Sequence, residues 1–128
     1  MNANPGSHEP LAAARKMLAA ERAGTLERLA GLEREFGGIV ESADSANADD
    51  EHDPEGATIA FERQHVAALL GQARDHLAEI DSALRKLDDG GYGICGSCGQ
   101  PIAPERLAAR PTATMCVPCT TRRTTRRG

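Results

Sequence analysis

Along the second half of the chain the apolar residues fall at Val66, Leu70, Ala73, Leu77, Ile80, Leu84 and Leu87, with spacings that alternate between four and three. That period belongs to a helix seating one narrow apolar stripe against another helix. Ile59 extends the stripe one heptad upstream, with Arg63 interrupting it. The start is marked by Asp53-Pro54-Glu55: an Asp that can accept from the first free N–H groups, Pro in the first helical position, and an acid near the positive end of the helix dipole. Asp88-Asp89-Gly90-Gly91 stops it. At 1.5 Å per residue, Pro54 to Leu87 extends roughly 50 Å.

An earlier segment, from about Leu11 to Phe36, is also helical in pattern but less regular. Leu11, Leu18, Leu26, Leu29, Leu32 and Phe36 form its stripe. Gly37-Gly38 is expected to end or fray this helix, although Ile39 and Val40 continue the apolar spacing. An acidic connection rich in Ala, Ser and Asn follows, from about Ser42 to His52. Two long helices with a short connection imply an antiparallel hairpin. Closing it with Phe36 opposite Ile59 sets Leu29 against Val66 and Leu18 against Leu77. Residues 1–10, rich in Asn, Pro, Gly and Ser, read as a disordered lead-in.

Composition supports this picture. The 128 residues contain no Trp, one Tyr and two Phe. Without bulky aromatic filler, an apolar complement of mostly Ala and Leu favours thin helix-on-helix packing and an elongated shape. The fold class is therefore mainly α: a long coiled-coil hairpin over residues 11–89, with an acidic tip at about 42–57, followed by a small C-terminal module over 90–120.

Charge is unevenly placed. The formal net charge is −4, which argues against general nucleic-acid binding. Between Glu35 and Glu62 there is no Lys or Arg, and after Glu105 there is no acid. The end, Thr121-Arg122-Arg123-Thr124-Thr125-Arg126-Arg127-Gly128, reads as a basic disordered tail over 121–128 that supplies electrostatic affinity without specificity. The N-terminus lacks the apolar run of a signal peptide, and no stretch approaches the roughly 20 apolar residues that span a bilayer. The expectation is a cytoplasmic protein with no membrane partner.

In a reducing compartment, four cysteines point to metal before disulfides. Cys95-Gly-Ser-Cys98 and Cys116-Val-Pro-Cys119 are two C-x-x-C pairs separated by seventeen residues. Each pair can fold into a tight knuckle, and two knuckles supply the four tetrahedral thiolates that Zn²⁺ prefers. Gly93, Gly96 and Gly99 offer the backbone freedom such knuckles need. A closed four-thiolate shell leaves no position for water, so one structural zinc is expected, not a catalytic one. The competing chemistries for this spacing are a dithiol redox pair and an iron–sulfur cluster. The module offers only Tyr92, Ile94, Ile102, Leu107, Met115 and Val117 as core, so the metal must supply much of its folding energy. His8, His52, His65 and His76 lie away from the cysteines and read as surface residues. No nucleophile–base pattern or phosphate-binding Gly loop is present, and the chain reads as a non-enzyme.

Two stretches carry a resemblance. Leu84-Arg-Lys-Leu-Asp-Asp-Gly-Gly-Tyr92-Gly-Ile-Cys95-Gly-Ser-Cys98-Gly99 and Ile102-Ala-Pro-Glu-Arg106-Leu107-Ala-Ala-Arg110-Pro111-Thr112-Ala-Thr-Met-Cys116-Val-Pro-Cys119 resemble the DksA/TraR zinc-finger family. The likeness is specific over about residues 80–120 and extends over the hairpin as architecture alone. It implies direct binding to RNA polymerase, with no sequence-specific DNA contact. It further implies a coiled coil that enters the secondary channel, acidic tip residues near the catalytic centre, and modulation of initiation, often together with the alarmone ppGpp. Founding members carry a tip motif D-x-x-D-x-A. Counting back from Cys95, its positions fall on His52, Glu55 and Ala57, with Asp53 beside the first, so Asp53, Glu55 and Ala57 are the candidate partner-binding residues. Two other functions fit the residues: a nucleic-acid-binding zinc module using Arg106, Arg110 and Arg122–Arg127 on phosphates, and a zinc- or redox-responsive interaction protein.

Overall fold

The structure, a computed structural model, describes residues 8–49 and 54–127. Four helices follow in order: α1 (His8–Asp49), α2 (Pro54–Asp89), α3 (Pro104–Ala109) and α4 (Val117–Arg127). α1 and α2 are the two long arms of a hairpin, with 42 and 36 residues. Among the described residues the only β pairing is an isolated antiparallel bridge between Ile94 and Pro101.

α2 begins at Pro54 as its sequence signals require, and ends at Asp89. Gly90 follows at φ 85°, a left-handed conformation that costs Gly nothing and closes the helix end. The Gly91 and Tyr92 amides return to the Lys86 carbonyl at 2.9 and 3.2 Å. Lys86 itself places a positive charge in the last turn, where the dipole favours it.

α1 differs from the sequence expectation at both ends. It takes in His8–Pro10, assigned above to a tail, and it passes through Gly37-Gly38 to Asp49. Each mid-helix glycine costs about 1 kcal/mol. The side chain of Ile39, beyond the glycines, packs against the core and offsets that cost. The acidic stretch from Ser42 to Asp49 is thus helix, aided by Ala43, Ala46 and Ala48, and the connection is short. His52 and Asp53 lie outside the described residues.

The chain divides into two compact units. In the unit of residues 23–78, Leu29, Leu32, Val66, Leu70 and Ala73 are buried together, with Phe36, Ile39, Leu69 and Leu77 packed against them. The expected pairing of Leu29 with Val66 falls within this cluster. An exposed Arg74–Glu33 pair at 3.5 Å adds little. In the unit of residues 1–22 and 79–128, Leu18, Ile80 and Ala83 are buried, flanked by Leu84, Leu87 and Tyr92. Leu18 therefore keeps company with Ile80, three residues beyond the Leu77 assigned to it above. Arg22 donates to Asp81 at 2.6 Å and Arg15 to Asp88 at 2.9 Å. The Arg22 hydrogen bond holds the Asp81 carboxyl below its ordinary range.

All seven heptad residues of α2 are buried or packed on a core cluster. The stripe of α1 is different from the one its leucines suggest. Leu11 and Leu26 are 41% and 42% exposed, while Thr25 is 7% exposed and occupies the seam. Leu70→Ala is expected to cost about 2–5 kcal/mol, because it empties a buried seam position. Leu26→Ala should stay within about 0.5 kcal/mol, the range of surface changes. Equilibrium urea unfolding of the two variants checks the assignment.

Candidate metal centre

The chain leaves α2 through Tyr92, whose hydroxyl donates to the Pro111 carbonyl at 2.8 Å and ties the start of the module to its middle. Burial pushes the Tyr92 phenol up, so it stays a neutral donor. Gly93 follows at φ 83°, and a Cβ there would stand 3.3 Å from Leu107 Cδ1. The conformation thus favours glycine at this position, and a side chain there would also crowd Leu107.

From Gly93 to Ile102 the backbone makes a tight hairpin. The Ile102 amide donates to the Gly93 carbonyl at 2.7 Å and the Cys95 amide to the Gln100 carbonyl at 2.8 Å. Inside it, the Gly99 amide reaches the Cys95 carbonyl at 2.9 Å, with Gly99 at φ 75°. This is the first knuckle, and the Ser97 N–H lies 3.4 Å from Cys95 Sγ. Gly96, expected above to need glycine's freedom, is absent from the positive-φ residues, and its amide instead donates to the Thr114 carbonyl at 2.9 Å. That bond joins the first knuckle to the second.

The second pair sits where a loop becomes a helix. Cys116 precedes α4 and Cys119 lies in its first turn, with the Thr120 amide returning to the Cys116 carbonyl at 3.0 Å. Arg106, on α3, braces this loop: Nε donates to the Met115 carbonyl at 2.8 Å and Nη2 to Thr120 Oγ1 at 3.3 Å. Ile102 is buried with Cys95 and Cys119, and Leu107, Met115 and Cys116 pack around them. Three of these six residues are the ligands themselves, so the module's core is its metal site.

The four Sγ atoms lie within 4.8 Å of one another. Cys98 Sγ and Cys116 Sγ are 3.8 Å apart, and all four cysteines are free. A disulfide would need about 2.0 Å. A zinc–sulfur bond of about 2.3 Å sets the edge of a tetrahedron at about 3.8 Å, which this spacing meets. The donor set and its geometry fit one structural Zn²⁺, held by Cys95, Cys98, Cys116 and Cys119. Hydrogen bonding from the Cys116 backbone, then from that of Cys98, pulls the Cys95 thiol down to about 6. Cys116 goes the other way: the Cys119 backbone lowers it, but burial and the sulfurs of Cys119, Cys95 and Cys98 push it up to about 11. Zinc takes its cysteine ligands as thiolates, so filling the site displaces the protons these thiols carry.

Other candidate residues are not brought to this centre. Glu55 is the second residue of α2 and Ala57 is exposed in its first turns, while Asp53 lies outside the described residues. His65 is exposed and His76 half-buried on α2. The residues expected to form a tail, Thr121–Arg127, continue α4. The cause is local: Cys119 anchors the first turn, and Arg122 Nη2 donates back to Cys119 Sγ at 3.2 Å. That contact follows from a Cys–Arg spacing of three, one helical turn, which is visible in the sequence once a helix is assumed.

The purified chain should carry about one zinc, and Cys116→Ser should lose it and unfold residues beyond α2 while most helicity remains. Because uptake displaces thiol protons, zinc affinity should rise with pH across the neutral range. Elemental analysis and chelator competition on either side of neutrality check both statements.

The prokaryotic dksA/traR C4-type zinc finger matches residues 90–124, which holds all four cysteines. Among curated relatives, the RNA polymerase-binding transcription factor DksA of Caulobacter vibrioides is 54% identical over 44 residues, 34% of this chain and 31% of that one. The Bacillus subtilis protein YteA is 43% identical over 68 residues, 53% of this chain and 28% of that one. The chain thus spans about a third of the length of the curated relatives it matches first. Among solved structures, transcription factor DksA2 from Pseudomonas aeruginosa superposes with a TM-score of 0.78 at 28% identity, covering 93% of this chain and 86% of that one. That superposition takes in the long helices as well as the finger. By sequence and by four-thiolate geometry residues 90–124 form a dksA/traR C4-type zinc finger, and the chain with its hairpin is similar in architecture to transcription factor DksA2.

Proposed function

We propose that this chain binds RNA polymerase directly and regulates transcription initiation, presenting the connection between α1 and α2 to the polymerase secondary channel. The observation that carries the reading is the DksA2 likeness, which covers 93% of the chain and includes the hairpin that the reading uses. Several curated relatives are named RNA polymerase-binding transcription factors. The finger's role is structural: a closed thiolate shell has no open position for chemistry, and the chain acts by binding and not as an enzyme.

The hairpin end has the charge for this role. From Glu35 to Glu62 it contains no Lys or Arg, so it presents a negative field to basic channel residues or to the surroundings of a catalytic divalent ion. Its surface is also not wholly polar. Ala57 is exposed, and Phe61, one turn later on the same helical face, is 73% exposed. A bare Phe in a chain with two is a contact looking for a partner.

Asp53, Glu55 and Ala57 are the residues assigned to the polymerase contact. The position of the family's first tip acid holds His52 here, with Asp53 next to it, and the second holds Glu55. Action in the cytoplasm, without sequence-specific DNA contact and with ppGpp as co-effector, belongs to the same reading. No described helix is long and apolar enough to cross a membrane.

Glu55→Gln removes one charge in the first turn of α2 at little structural cost, whereas Asp53→Asn also touches the helix start. Both variants should retain core polymerase in a pull-down while their effect on transcript yield from a short-lived promoter complex falls. Wild-type regulation by both would reduce the acidic connection to a solvated loop and remove the secondary-channel mechanism. Failure of the wild-type chain to retain polymerase would remove the whole reading.

A further inference from the structure

We propose that Arg122 is a positioning residue of the metal centre, supplying counter-charge to the zinc-bound Cys119 thiolate. Nothing in this inference rests on polymerase binding.

Four thiolates on a divalent ion form a dianionic centre, and a small module with little core must stabilise that charge locally. Backbone N–H groups do part of this, as Ser97 does toward Cys95. They are dipoles and leave the net charge unchanged. Arg122 brings a full positive charge, with Nη2 at 3.2 Å from Cys119 Sγ. The contact is built into the helix. Cys119 and Arg122 are one turn apart on α4, and a long side chain on a helix folds back over the turn that precedes it. The Cys119 sulfur is the surface that Arg122 must cover.

Neighbouring charges leave this role to Arg122. Arg106 is committed to the Met115 carbonyl and Thr120 Oγ1. Arg123 points at the Met115 thioether, 3.8 Å away, which is not a ligand. Glu105 is the only acid after Asp89, so no carboxylate in the module competes strongly for the guanidinium. The arrangement also explains α4 itself. Its sequence after Cys119 is four Thr and four Arg, with like charges repeated four residues apart, a poor helix on its own terms. Neutralising one arginine against the thiolate relieves that repulsion where the helix starts. The expected solvated tail is thereby joined to the zinc site.

The test is zinc affinity of the full chain by chelator competition at neutral pH, in low and high salt. Arg122→Gln keeps a donor and removes the charge. It should bind zinc about tenfold more weakly in low salt, the lower end of what losing such an outer partner costs. Arg122→Lys should stay near wild type, and Arg123→Gln should be unchanged. High salt should narrow the gap, because the arginine is exposed and screened. Far-UV circular dichroism of the zinc-loaded variants should match wild type. Wild-type affinity in Arg122→Gln overturns the proposal. So does equal weakening in Arg123→Gln, which would mean a diffuse field, or a lysine variant as weak as the glutamine one.

Discussion

Four sulfur atoms held within 4.8 Å of one another define a site that a divalent cation stabilises. Everything after α2 is arranged around that requirement. Cys95 and Cys119 supply two of the three buried residues of the module's core, and Ile102 is the third. The hairpin of residues 93–102, the loop braced by Arg106 and the first turn of α4 each deliver a ligand or hold one in place. Take away the cation and the remaining contacts are a few backbone and side-chain hydrogen bonds and one small apolar cluster. A module of this size does not fold on those alone.

The long helices answer to a different constraint, the heptad, and their legibility in the sequence follows from how each one fills it. In α2 the seam is written in aliphatic residues from Val66 to Leu87, and sequence and structure agree. In α1 the seam positions seven apart include Leu18, Thr25, Leu32 and Ile39, with Arg15, Arg22, Leu29 and Phe36 interleaved. Polar residues at Arg15, Arg22 and Thr25 hide the repeat, and Leu26 beside Thr25 offers a false one. Thr25 is buried with a partner, and the arginines reach acids across the hairpin. The same blindness applies to Gly37-Gly38: propensity reads a stop, while the packing of Ile39 against the core cluster decides.

At the metal site the ligands were legible because zinc demands a residue type and a spacing, both of which survive in one dimension. The supporting contacts were not. Tyr92 to Pro111 and Arg106 to Met115 join positions nineteen and nine residues apart through folded geometry. Arg122 could have been read, given a helix through Cys119, but a run of arginines and threonines looks like a tail. Of the three glycines singled out near the knuckles, Gly93 and Gly99 need positive φ, and Gly96 serves through its amide.

The pairing of Arg15 with Asp88 and Arg22 with Asp81 repeats after seven residues on both helices. Slide α1 by one heptad in either direction and one such pair re-forms, as Arg22 with Asp88 or Arg15 with Asp81. Charge is therefore a poor ruler for this hairpin: a wrong alignment forfeits one exposed ion pair, about 0–1 kcal/mol. Side-chain size is a better one. Leu18 now sits with Ile80 and Ala83, and Ala73 with Leu29 and Leu32. The same slide would set Leu18 at Ala73 or at Leu87, trading a filled space for a void or a clash of several kcal/mol. Register is stored as a sequence of volumes, large against small. The charged rim tolerates exchange at little cost, while the order of Val66, Leu70, Ala73 and Ile80 does not.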